Sequence, residues 1–298
     1  MTPRRGLAMA ALIIAALTLS ACSSGAPGKN STGQLTVVTS FYPLQFATEQ
    51  IGGTHIAVTN LTRPGAEPHD IELTTQDVAT VSEAGLVIYE KGLQSAVDKV
   101  VESQAGNRGL DVAPAANLSL KLASGTVDPH FWLDPQRYAK VAKEISARLS
   151  SADPAHSADY QKNAQLLEDK LAALSQDFTS ALANCQRRDV VTSHAAFGYL
   201  AQRYGLKQIA INGVSPDQEP SATEIAAVTT YAKAHGVTTV YAETLASPAI
   251  ATTAANEIGA TVSTLDPVEG LTKRSSGKNY FQIMASNLKA LRAGQGCS

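Results

Sequence analysis

Between Ala155 and Cys185 the chain has neither glycine nor proline, and Tyr160, Ala164, Leu167, Leu171, Leu174 and Phe178 recur at helical spacing. The run predicts one continuous helix over 153–185, with Asp153 as N-cap and Pro154 at the first helical position. Its length would be roughly 45 Å at about 1.5 Å per residue. A rod of that length in mid-chain leaves a segment on either side that must build its own core. Before it, LTVVTS (35–40), HIAVTNL (55–61) and LVIYE (86–90) are short β-branched runs, separated by helical patterns near 43–52 and 74–84. After it, DVVTS (189–193), LKQIAI (206–211), TTVYAE (238–243) and ATVSTL (260–265) alternate with helical patterns at 197–204, 221–235, 248–258 and 278–292. Strands alternating with helices predict parallel sheets covered by helices. The expected fold is therefore α/β, with two Rossmann-like lobes, 35–152 and 186–298, each with a mainly parallel sheet and joined by one long rigid helix. A pair of helices with an undetected break is the alternative. A single helix between lobes permits only limited hinge motion.

The N-terminus predicts where such a molecule works. Arg4 and Arg5 form a basic start, residues 7–19 an apolar stretch, and Leu19-Ser20-Ala21-Cys22 a cleavage site with small residues before a cysteine. Residues 1–21 thus read as a lipoprotein signal and Cys22 as the lipidated anchor. A membrane-spanning helix would need about 20 apolar residues. Residues 23–34, rich in Ser, Gly and Pro, read as a flexible tether of about 40 Å reach. These features predict a monomer held on the outer face of the cell membrane, on its periplasmic or extracytoplasmic side. Arg4 and Arg5 would leave with the signal while all 26 acids remain, so the mature chain is acidic and nucleic acid is not an expected partner. Cys185 and Cys297 form an even pair in an exported protein and read as a disulfide, with free thiols as the alternative.

Four residues carry metal-donor atoms in loop-like contexts: His69 in RPGAEPHD, His130 in DPHFWLDP, His194 in TSHAAFGYL and Asp266 in TLDPVEG. Three imidazoles and one carboxylate suit a borderline divalent cation, zinc above all. Each residue also has a plainer reading, as a loop histidine beside Asp70, a turn residue after Pro129, a strand-end histidine and a turn former before Pro267. His55, His156 and His235 fall outside these contexts. The chain has no HExxH helix, no GxSxG elbow, no Walker A and no GxGxxG. Four protein ligands would also close the coordination position that a catalytic zinc keeps for water, so no enzymatic activity is expected.

The succession PGAEPHDIELTTQDV, DPHFWLDP, VTSHAAFGYLAQRYGL and TLDPVEGL, behind a lipobox and around a long helix, resembles the metal-binding lipoproteins of ABC transporters. That is the zinc and manganese solute-binding family, most nearly its ZnuA-like zinc branch, and the resemblance covers nearly the whole mature chain. It implies zinc carried as transported ligand in the cleft between lobes, held by His69, His130, His194 and Asp266. It further implies delivery to an ABC permease with its ATPase, and leaves room for a metallochaperone. Manganese relatives resemble a pattern with a carboxylate at the third position, where this chain has His194. A manganese-specific relative and a metal-containing surface adhesin of the same fold are the alternative functions. Metal-bound histidines usually donate their second ring N–H to an acceptor, and Glu243 and Asp134 are the expected supporting acids, with Asp128, Glu67 and Asp70 as further candidates. Trp132, the single tryptophan, reads as a core residue. Two departures from the zinc branch stand out. Residues 91–127 hold no histidine, so an auxiliary chelating loop is absent, and Pro68 replaces an acid before the first histidine, which argues against a fifth carboxylate ligand.

Overall fold

Strands rich in Val, Ile and Thr with both faces covered form the centre of each lobe, as expected where a parallel sheet is buried on both sides. The computed structural model describes residues 28–122, 124–213 and 219–298, so the signal segment and Cys22 lie outside the described residues. The first lobe runs β1 (Leu35–Thr39), α1 (Tyr42–Gly52), β2 (Ile56–Asn60), α2 (Thr75–Glu83), β3 (Leu86–Tyr89), α3 (Ser95–Val100), β4 (Gly109–Asp111), α4 (Ala113–Ala116) and α5 (Pro135–Ala152). The connecting helix is α6 (Ser157–Ala181). The second lobe runs β5 (Asp189–Thr192), α7 (Gly198–Arg203), β6 (Lys207–Ala210), α8 (Ala222–Ala234), β7 (Thr239–Ala242), α9 (Ala249–Ile258), β8 (Thr261–Thr264) and α10 (Tyr280–Gln295).

Both sheets are four-stranded and parallel, and they repeat one order: β2-β1-β3-β4 and β6-β5-β7-β8. In each, the first strand of the lobe pairs on both sides, so the chain reverses direction across the sheet there. The crevice at the carboxyl end of such a reversal is where open α/β sheets bind ligands. β5 and β7 end one residue before Ser193 and Glu243, which places His194 and Glu243 at this point of the second lobe.

Three local features depart from the sequence reading. The connecting helix begins at Ser157, after a separate 3-10 turn at Pro154–His156, and its 25 residues span roughly 38 Å. Asp153 does not cap it. Its carboxylate instead accepts from Lys29 Nζ at 3.0 Å and Tyr160 Oη at 2.8 Å, and lies 2.6 Å from His156 Nδ1. The end of the expected tether is likewise part of the first lobe: the Gly28 carbonyl accepts from Thr36 N and Oγ1, and Lys29 pairs with Leu35 in an isolated bridge. Finally, α5 is an 18-residue helix capped by Asp134 that buries Tyr138, Val141, Ala142, Ile145 and Leu149.

α6 lays Tyr160, Ala164, Leu167, Leu171, Leu174 and Phe178 against both lobes, packing on α1 and α5 of the first and α10 of the second. The core does not stop at the cleft. One continuous cluster takes in Phe41, Trp132 and Tyr138 of the first lobe, Leu171 and Phe178 of the helix, and Leu265, Val268 and Tyr280 of the second. Tyr280 stacks on Phe46 at 5.7 Å and meets Tyr138 at 4.8 Å. A disulfide joins Cys185, just past the helix, to Cys297 at the end of the chain. Among the described residues no helix is long and apolar enough to cross a membrane.

Candidate metal centre

Each sheet delivers its donor side chains from loops beyond strand ends. After β2 the chain passes through Pro68 to His69. Gln94, which is 1% exposed, fixes this loop by donating from Nε2 to the Pro68 carbonyl and to Thr62 Oγ1, both at 3.0 Å. Glu67 Oε1 accepts the His69 backbone N–H at 2.9 Å.

His130 follows Asp128 and Pro129. One oxygen, Asp128 Oδ1, lies 3.0 Å from the His130 backbone nitrogen and 2.7 Å from its ring Nδ1. A proton held on Nδ1 by that carboxylate leaves the Nε2 lone pair free for a metal. His194 also has a carboxylate beside its Nδ1. Its carbonyl accepts from Thr192 Oγ1 and Gln208 Nε2, its Nδ1 lies 2.8 Å from Glu243 Oε2, and Glu243 Oε1 in turn accepts from Ser193 Oγ at 3.0 Å.

The three Nε2 atoms converge on Glu269, and not on Asp266. Glu269 Oε1 lies 3.2 Å from His130 Nε2, 3.3 Å from His194 Nε2 and 3.6 Å from His69 Nε2. All four donor atoms are within 4.8 Å of one another. Ligands about 2.0–2.1 Å from a tetrahedral zinc ion stand roughly 3.3 Å apart. The three Nε2 atoms and both Glu269 oxygens are also buried without a hydrogen-bond partner, a costly state for polar atoms unless an ion completes them. The set fits a tetrahedral divalent cation.

Asp266 has other work. Its Oδ1 accepts the Val268 N–H at 2.8 Å, and its own backbone is bound twice by Asn287, at N (2.9 Å) and at O (2.7 Å). It therefore shapes the turn that presents Glu269, three residues on. The sequence signal for Glu269 was present in the same heptapeptide, TLDPVEG, as an acid directly before a glycine. Asp134 is also reassigned. It caps α5 by accepting Gln136 N at 3.0 Å and binds Arg203 of α7 at 2.7 Å, which ties the lobes together without touching a histidine. Asp128, a minor candidate from sequence, takes the supporting place beside His130. Glu67 stands at the edge of the cluster, 4.0 Å from His69 Nε2, so an acid lies close to the site despite Pro68.

The electrostatics follow from burial and proximity. Burial opposes charge on Glu269, but the His130 and His194 imidazoles beside it outweigh that and hold the carboxyl well below its usual range. Burial likewise opposes charge on His130 and His194, yet Asp128, Glu243 and Glu269 raise both imidazoles. Burial, with the charge of Glu269 added, pushes Glu67 up to about 8. Zinc binds imidazoles in their deprotonated form, so protons and metal compete for this cluster.

The turn before Glu269 is unusual. Val268, 0% exposed, has φ of +58°, a left-handed conformation that a β-branched residue rarely adopts. Trp132 Nε1 donates to the Pro267 carbonyl at 2.7 Å, so the tryptophan is more than a core residue. It also packs edge-on against Phe41 at 4.8 Å and against the His130 ring at 5.2 Å.

Comparison with known proteins agrees with this geometry. The family described as zinc-uptake complex component A, periplasmic (ZnuA), matches residues 37–294. The chain is 36% identical over 287 residues to the zinc-binding protein AdcA of Streptococcus pyogenes, which covers 87% of this chain and 56% of AdcA. It thus spans about half the length of that relative. It is also 36% identical over 299 residues to the high-affinity zinc uptake system protein ZnuA of Bacillus subtilis, covering 94% of this chain and 93% of that one. The crystal structure of the Zn(II)-bound ZnuA-like domain of Streptococcus pneumoniae AdcA superposes with a TM-score of 0.76 at 36% identity, over 88% of this chain and 99% of that domain. Matched along nearly its whole described length, and carrying a buried histidine and carboxylate cluster between two parallel-sheet lobes, the chain belongs to the ZnuA family.

Proposed function

We propose that this chain is the extracytoplasmic zinc-binding component of an ABC import system, holding zinc as cargo on His69, His130, His194 and Glu269. The observation that carries the reading is the convergence of three Nε2 atoms and one carboxylate oxygen at tetrahedral spacing, buried and otherwise unpartnered. Three nitrogen donors and a single carboxylate favour zinc over manganese, which prefers oxygen-rich sites. Four protein donors leave no open position for an activated water, so the site holds its ion and does no hydrolytic chemistry. Zinc would pass from here to a membrane permease driven by its ATPase, with diacylated Cys22 keeping the carrier beside them. Two acyl chains suffice for stable anchorage where one gives only marginal binding.

Metal analysis and calorimetry of the mature protein test this. One equivalent of zinc is expected. Glu269→Ala or His130→Ala should weaken binding by at least about a hundredfold, since each removes a direct ligand. An unchanged affinity in both variants sinks the assignment.

A further inference from the structure

Trp132 and Asp266 grip the two ends of one peptide group. The Pro267 carbonyl and the Val268 N–H belong to the same planar unit. Trp132 Nε1 donates to that oxygen at 2.7 Å, and Asp266 Oδ1 accepts from that nitrogen at 2.8 Å. Both contacts are buried. They come from opposite sides of the cleft, since Trp132 belongs to the first lobe, two residues after His130, and Asp266 to the second. The orientation they enforce is the one that puts Val268 at a φ of +58°. A positive φ at the position following a turn proline is the pattern of a type II turn, which normally has glycine there. Rotating the peptide by half a turn would bring Val268 to a φ of about −120°, an ordinary extended value. The same rotation would break both hydrogen bonds.

We propose that Trp132 is a positioning residue for the ligand Glu269, and that strain at Val268 is a built-in drive for zinc release once the indole lets go. While the lobes are together, the indole of the first lobe holds the peptide of the second in its strained orientation. Glu269 is then fixed 3.2–3.6 Å from the three histidine nitrogens. When the first lobe draws back, the peptide relaxes, Asp266 loses its hold as well, and Glu269 is no longer fixed against the histidines. Loss of one lobe contact is thereby converted into loss of one metal ligand. Tyr280 reinforces the arrangement by donating its hydroxyl to the Trp132 carbonyl at 2.6 Å.

The inference rests on zinc being the cargo, and its test separates the two. Zinc release from the loaded full-length mature protein into excess chelator is timed by stopped flow. Trp132→Phe keeps an aromatic ring but loses the N–H, and should release zinc roughly tenfold faster. Val268→Gly and Val268→Ala both remove the buried isopropyl group, but only glycine accepts a positive φ without strain. In the Trp132→Phe background, Val268→Gly should therefore recover most of the native release time and Val268→Ala should not. A purely structural tryptophan would show no such selective rescue. Asp266→Asn, which keeps an accepting oxygen, should release zinc at close to the native rate, whereas Asp266→Ala should release it faster. Should Trp132→Phe fail to fold by circular dichroism, Tyr280→Phe serves in its place, with faster release again expected. Native release from Trp132→Phe, or indistinguishable glycine and alanine variants, overturns the proposal while leaving the zinc reading intact. A wild-type protein that takes up no zinc overturns the functional reading itself.

Discussion

At the scale of single residues, the site is decided by where second hydrogen bonds go. Asp128 Oδ1 serves both the backbone and the ring of His130, and so sets the direction of Nε2 before any metal arrives. Supporting partners of metal-bound histidines typically change affinity by about 10–100-fold when removed. Asp128→Asn should fall in that range by calorimetry, with the one-to-one stoichiometry kept, whereas a lost equivalent of zinc would make Asp128 a ligand and not a support. The same logic explains what the sequence could and could not reveal. Three histidines were legible because each stands in a distinct turn context next to Pro, Asp or a strand end. The fourth ligand was not, because TLDPVEG offers two acids three residues apart and the choice depends on contacts made from far away. Asn287 holds the backbone of Asp266, the Val268 N–H takes one of its carboxylate oxygens and Trp132 orients the peptide between, so Glu269 is the acid that turns inward. Asp134 misled for a related reason. Its place near His130 in sequence says nothing of Arg203, 69 residues away, which claims its carboxylate.

At the scale of elements, seven of the eight strands were readable as β-branched runs, within one or two residues of their ends. β4 was not, since three residues beginning with glycine carry no period of their own. α5 had a clear signal, with Asp134 and Pro135 at its start and buried residues at helical spacing, and its amphipathic face is what α6 packs against. That contact makes the connecting helix part of the core, where an isolated rod would be free to bend. Leu171 lies at its middle with 0% exposure. Leu171→Ala should cost about 2–5 kcal/mol, the usual range for a buried leucine in a site that cannot collapse. Urea denaturation of the metal-free protein measures this. A cost below about 1 kcal/mol would mean that the helix bridges the lobes without being packed by them.

At the scale of the whole molecule, stability and cargo should respond to pH in opposite directions. Burial, helped by the charge of Asp128, lifts the Glu90 carboxyl well above its normal range, and Glu67 is pushed up to about 8. An acid whose pKa is raised by folding keeps its proton in the native state while the unfolded chain releases it. The unfolded state then binds fewer protons, and stability declines with rising pH from the ordinary carboxylate range to the raised value. His130 and His194, also raised, act with the same sign, since the stability they contribute is lost as pH climbs through their folded values. At the acid end the depressed carboxyls govern. Hydrogen bonds from His156, Tyr160 and Lys29 outweigh burial and lower Asp153 to about 2, and Glu269 is lowered too, so their contributions disappear as pH falls through those values. The metal-free protein should thus be most stable near pH 5 and weaken toward pH 8. Zinc reverses the alkaline limb, because it binds the deprotonated imidazoles and, at free concentration c, stabilises by RT ln(1 + c/Kd), which grows as Kd falls with rising pH. Denaturation midpoints at pH 5 and pH 8, with and without zinc, should therefore fall without the metal and rise with it. Glu90→Gln should flatten the metal-free decline, since it removes the raised carboxyl. A metal-free midpoint that rises between pH 5 and pH 8 would contradict the assignment of these buried acids as proton-bound in the folded protein.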